Sequence, residues 1–140
     1  MIDVYAPDDL FPADADERLG SQLTRAVLRA EGVAEPGPYH LDNTAAFVHR
    51  LPRAALSTAS TPSARAVRVQ IVTPPGALNR DGQRQITREA TAIVAEVAGA
   101  QSTVWVILTE AVEGGWGING TAFGVEEFAA LAKRAAEAGV

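Results

Sequence analysis

The chain has 140 residues, 47% of them hydrophobic, a formal net charge of -5 and no cysteine. That length fits one domain. The missing cysteine excludes a disulfide framework, thiolate metal sites and a cysteine nucleophile, and the acidic balance without a basic cluster argues against a nucleic-acid partner.

Ile2–Ala6 alternates and predicts a strand, ended by Pro7. Asp14 or Asp16 is positioned to cap a helix running to Gly32, with Leu19, Leu23, Val27 and Ala30 on its buried stripe and Gly32 as a left-handed terminator. Ala34–Leu41, with Pro36, Gly37 and Pro38, is expected to be loop, and Asn43–Leu51 a second strand. Pro52–Ala66, rich in Ala, Ser, Thr and Pro, is expected to be a surface linker with a short turn near Ala54. Val67–Thr73 predicts a third strand. Asn79 predicts the cap of a second helix over Arg80–Ala98, with Ile86, Ala90, Ile93, Val94 and Val97 inward and Gly99 at its end. Val104–Leu108 is an unbroken apolar run within a fourth strand, the pattern of a strand buried on both faces. Gly114, Gly115, Trp116, Gly117 and Gly120 then predict a tight ribbon presenting one aromatic surface, and Glu126–Ala138 a final alanine-rich helix.

The order is strand-helix-strand, linker, strand-helix-strand, ribbon, helix, an internal repeat. Two such units predict an α+β fold: a four-stranded mixed sheet with two helices on one face, plus the Gly-rich β-ribbon and last helix. As a single domain over 1–140 it divides into a first unit at 1–52, a linker at 53–66, a second unit with ribbon at 67–123 and a C-terminal helix at 124–140. The uncovered sheet face is too apolar for a monomer, so an oligomer that buries it is expected. No apolar run approaches the roughly 20 residues of a membrane-spanning helix, and no basic-then-apolar leader opens the chain. A cytoplasmic protein with no membrane partner is expected.

The second half carries a family resemblance. VRVQIVTPPG is followed by a helix, then VWVILTE at Val104–Glu110 and GGWGING at Gly114–Gly120. These resemble, in order and spacing, the strands and Gly-rich hairpin of the tautomerase superfamily, the 4-oxalocrotonate tautomerase-like proteins. With MIDVYAPDDLFP and NTAAFVHRLP in the first half, the chain is similar to fused two-unit members of the cis-3-chloroacrylic acid dehalogenase type. The resemblance implies a homotrimer with sheets facing the centre. It also implies an amino-terminal proline whose secondary amine moves a proton, arginines that clamp a substrate carboxylate, an aromatic wall, and no cofactor.

The chain departs from that pattern at its start, which reads Met1-Ile2-Asp3. Either the natural chain begins upstream at Met-Pro, or the proline is absent and the α-amine of Met1 takes its place. Ala77 stands where an arginine often follows the family's glycine turn, and Trp105 where the second-strand arginine is expected. Arg50, at the end of the second strand, is the leading substitute clamp, with Arg53, Arg68 and Arg80 behind it; its competing role is that of a surface arginine. Trp116 aligns with the aromatic wall residue, against a plain packing role at a neighbouring subunit. His49, Asn119 and Trp105 complete the candidate substrate-binding set. For these the bland readings are a structural histidine, a residue tolerating positive φ, and packing. His40 is expected to be solvated, and two isolated histidines make no metal site.

The function expected is that of a tautomerase-like isomerase moving a proton on a small keto/enol or unsaturated carboxylate substrate. The alternative is a non-catalytic trimer of the same fold that binds small molecules or acts as a scaffold.

Overall fold

The computed structural model describes residues 1–99 and 102–139. Ala100, Gln101 and Val140, which the expected segment boundaries include, lie outside the described residues. The elements run β1 (Ile2–Pro7), α1 (Asp16–Ala30), α2 (Pro38–Asn43), β2 (Ala46–Leu51), β3 (Ala66–Thr73), α3 (Arg80–Ala98), β4 (Thr103–Glu110), β5 (Trp116–Ile118), β6 (Thr121–Phe123) and α4 (Val125–Glu137). A 3-10 turn at Arg53–Ala55 lies in the expected linker.

The main sheet has the order β2-β1-β3-β4. Each unit pairs its own strands in parallel across a helical crossover, β1 with β2 and β3 with β4, while β1 and β3 pair antiparallel where the units meet. This is the expected mixed sheet, with β5 and β6 as a separate hairpin. The antiparallel junction places the amino end of β1 beside the carboxyl ends of β3 and β4, and that end of the sheet carries the site described below.

Both helices pack on one face. Leu19, Leu23 and Val27 of α1 and Ile86, Ala90 and Val94 of α3 are buried against Ile2, Val4, Val67, Val69 and Ile71 of the two central strands. Burying each large aliphatic side chain stabilises the fold by roughly 1.5–3 kcal/mol. The helices approach closely at Gly82, where an added Cβ would lie 2.5 Å from the carbonyl oxygen of Ala30. Asn79 caps α3 by accepting the Gly82 N–H at 2.8 Å, and Gly99 ends it in the left-handed region at φ 61°.

Three local expectations are corrected. Neither Asp14 nor Asp16 caps α1: its cap residue is Ala15, with no side-chain cap, and the Asp16 carboxylate is occupied by the Arg50 guanidinium. The expected loop through Leu41 contains α2, which Pro38 starts because its fixed φ suits a first helical turn, and β2 begins only at Ala46. β4 is not covered on both faces within the protomer. Val104, Val106 and Leu108 pack on the core, while Trp105 and Ile107 are 39% and 46% exposed on the opposite face, which Phe47 of β2 shares at 53% exposure from the other edge of the sheet. Among the described residues no helix is long and apolar enough to cross a membrane.

Candidate active site

Met1 extends β1 by one residue. Its amine donates to the Val72 carbonyl at 2.9 Å, and its own carbonyl accepts from the Val72 N–H at 2.8 Å. A neutral amine held this way keeps its lone pair for another partner. The amine end opens on a cavity of about 280 Å³. One wall is the carboxyl end of α1, with Leu28, Glu31 and Val33. A second is α2, with Tyr39, His40 and Asn43. A third is the β3–α3 loop at Pro74–Ala77, and Trp116 of the hairpin with Phe128 of α4 closes the top.

Burial lowers the Met1 amine below its ordinary 8.0, because desolvation penalises the ammonium form; the negative charges of Glu31 and Asp3 oppose this in part. Burial likewise raises the Glu31 carboxyl, with the Met1 amine pulling the other way. Tyr39 is raised by burial alone, so it stays protonated in the working range. His40 Nδ1 is buried without a hydrogen-bond partner among the described residues.

Of the candidate catalytic and substrate-binding residues from the sequence, Met1 and Trp116 meet at this cavity, and Trp116 reaches it from the same chain. The others lie elsewhere. Arg50 sits at the far end of the sheet: Ile2 pairs with Ala46 and Ala6 with Arg50, a separation of roughly 13 Å along the strands. Its guanidinium is committed there, to the Asp16 carboxylate at 2.8 Å, the Pro12 carbonyl at 2.6 Å, and the carbonyls of Asp8 and Phe11 at 3.0 and 3.1 Å. His49 lies on the uncovered sheet face with Nε2 2.7 Å from Asp3 Oδ1. Trp105 shares that face, in register with Arg68. Asn119 is exposed at the hairpin tip with φ 49°, followed by Gly120 at 85°, the conformation a two-residue Asn-Gly turn requires. Among the described residues no arginine or lysine lines the cavity.

Glu31 and Tyr39 were not singled out in the sequence, and His40, expected to be solvated, lines the cavity with its Nδ1 buried. Pro38 at a helix start was the available signal for α2. For Glu31 there was none beyond its place at the end of an amphipathic helix.

Fold and site together define a protein of two β-α-β units with the Met1 amine at a partly buried cavity. No family profile matches the chain, and no curated protein sequence matches it. Solved structures do. A fused 4-OT symmetric trimer matches with a TM-score of 0.74 at 16% identity, over 91% of this chain and 97% of that one. Pt0534, inactivated by 2-oxo-3-pentynoate, gives 0.73 at 17% identity over 89% and 96%. N1, a member of the cis-3-chloroacrylic acid dehalogenase family, gives 0.70 at 19% over 94% and 90%. The chain shares the fold of these solved structures over most of its length.

Proposed function

We propose that the protein is a tautomerase-type isomerase, in which the amine at Met1 moves a proton on a small enolisable carbonyl compound bound beside Trp116. The observation that carries this reading is the amine itself: fixed by Val72, opening on a cavity, and shifted by burial toward its neutral, basic form. The neutral amine takes the proton from the carbon next to the carbonyl, the C–H pair moves into the enolate, and the ammonium returns the proton to oxygen or to another carbon. His40 lines the same cavity. Trp116 and Phe128 exclude water from the reacting centre.

The protein is further proposed to work in the cytoplasm as a homotrimer closed through the uncovered sheet face. Supporting the assembly are the exposed Phe47, Trp105 and Ile107 and the trimeric state of the fused 4-OT neighbours.

The test is ketonisation of a small enol such as that of phenylpyruvate or its methyl ester, using protein whose intact mass confirms a free amine at Met1. Turnover that vanishes when one residue is added before Met1 supports the reading; no turnover with that amine confirmed would sink it. A second reading is favoured by the cavity lining, which offers no guanidinium to hold a carboxylate: a non-catalytic trimer that binds a small molecule. Tight binding without turnover would select it.

A further inference from the structure

We infer that the cavity selects a carbonyl substrate lacking a carboxylate, either uncharged or carrying an ammonium group, and that Glu31 is the residue setting this preference. This rests on the reading of the cavity as the reaction site.

The titratable groups lining the cavity are the Met1 amine, Glu31, Tyr39 and His40. When the amine is neutral, as a base must be, the Glu31 carboxylate has lost the positive charge opposite it. Two more carboxylates, both exposed, are bonded to backbone of the lining. Glu110 accepts the N–H of Gly76, and Glu113 accepts the N–H of Val125 at 2.7 Å; both Gly76 and Val125 line the cavity. The carboxyl end of α1, which brings Leu28 and Glu31 to the wall, adds the negative end of a helix dipole, and the amino end of α4 at Val125 sets a positive end against it.

The neighbouring arginines of the protomer do not offset this. Arg29 is paired with Glu89 at 2.7 Å, Arg50 is held at the far end of the sheet, and Arg68 lies over the Tyr5 ring on the uncovered face. The basic state of the cavity is therefore anionic, or neutral once Glu31 takes a proton. An anionic substrate meets repulsion in a partly desolvated space, where screening is weak. A neutral carbonyl meets none, and an ammonium group is attracted.

Three probes on one scaffold test this: phenylpyruvate, its methyl ester and its choline ester. The specificity constant is expected to rise from acid to methyl ester to choline ester, with roughly tenfold or more between the first two. Glu31→Gln should compress the series and Glu31→Arg reverse it, while Glu31→Asp keeps the order. Glu31→Gln should also move the acid limb of the pH–rate profile to lower pH, since a charge that favours the ammonium form is removed; a merely structural role would leave that limb in place. Thermal unfolding shows that each variant is folded. A wild-type preference for the acid, or a ratio unchanged in Glu31→Gln, would overturn the inference. If no probe turns over, the isomerase reading fails separately, and calorimetric binding of the same three probes still decides the charge preference: the acid binding tightest overturns it, and the choline ester binding tightest supports it.

Discussion

The rings of Tyr5 and His49 are stacked on the uncovered face of the sheet, centroids 4.3 Å apart and planes 8° from parallel. The Arg68 guanidinium carbon lies 4.5 Å from the centroid of the Tyr5 ring. Register explains the arrangement: His49 pairs with Tyr5, Tyr5 with Arg68, and Arg68 with Trp105. One side chain from each strand thus forms a row across the whole sheet. Stacked and cation–π contacts of this kind hold the side chains flat against the sheet. The face is therefore ordered before any partner meets it.

The assembly proposed through this face should fail when charge is placed on it. Phe47→Asp combined with Ile107→Asp is expected to give a folded monomer, because neither side chain belongs to the helix-covered core. Each lost apolar contact weakens an interface by roughly 1.5–3 kcal/mol, and a buried unpaired carboxylate adds to that. Sedimentation velocity reads the mass and circular dichroism the fold. A variant that still sediments as a trimer would show that assembly uses another surface.

Arg50 holds the β1–α1 connection. Replacing it by Ala strands the carbonyls of Asp8, Phe11 and Pro12 and the carboxylate of Asp16. The expected cost is about 2–4 kcal/mol of stability, read as a lower urea midpoint. Arg50→Lys should recover only part of it, since an ammonium cannot reproduce the guanidinium fork. Turnover per folded molecule should stay within about twofold of wild type, as expected of a change that touches no transition-state contact. A large rise in KM for either variant would return Arg50 to the substrate.

The contrast between Arg50 and Met1 shows where the sequence was legible and where it was not. Helices α1 and α3 announced themselves through Leu19, Leu23 and Val27 and through Ile86, Ala90 and Val94, because helical periodicity is a local signal. Asn79 and Gly99 marked the ends of α3 for the same reason. The Gly-rich segment located the hairpin, and with it Trp116. The direction in which the two units meet is not a local property. A parallel strand delivering Arg50 at its carboxyl end looked like a functional end, but the antiparallel β1–β3 pairing makes the opposite end of that unit join the cavity. Glu31 was invisible for a related reason: a helix-terminal glutamate becomes part of a site only when the chain's first residue arrives beside it. His40 was hidden in a Pro-Gly-Pro segment read as loop.

Trp116 should matter for binding more than for folding. It pairs with Phe123 across the hairpin and is only half-buried. Trp116→Ala is expected to reduce the specificity constant roughly 10- to 100-fold, the equivalent of removing a large apolar wall. Unfolding free energy should change by about 1 kcal/mol or less, as for a side chain outside the main core. Trp116→Phe should restore most of the lost activity. Equal losses in stability and activity would instead assign Trp116 to packing.

The pH dependence carries two opposing signs. The Met1 amine has a folded pKa below its unfolded value of 8.0. Between those values the unfolded chain binds more protons, so stability is fully present above 8.0 and is lost as the pH falls through the lowered folded pKa. Glu31 is raised above its ordinary 4.5, so its contribution is fully present below that value and is lost as the pH rises through its folded pKa. Urea unfolding across pH should therefore show a rising limb on the approach to 8.0 from below, and Glu31→Gln should abolish the falling limb above 4.5. Activity follows the amine alone. The rate should climb as the amine deprotonates and level off, with its midpoint below 8.0. Acetylating the amine removes both the base and its titration, and should abolish turnover together with the rising stability limb. A rate profile with its midpoint at or above 8.0, or one unchanged by acetylation, would mean that the proton is moved by a different group.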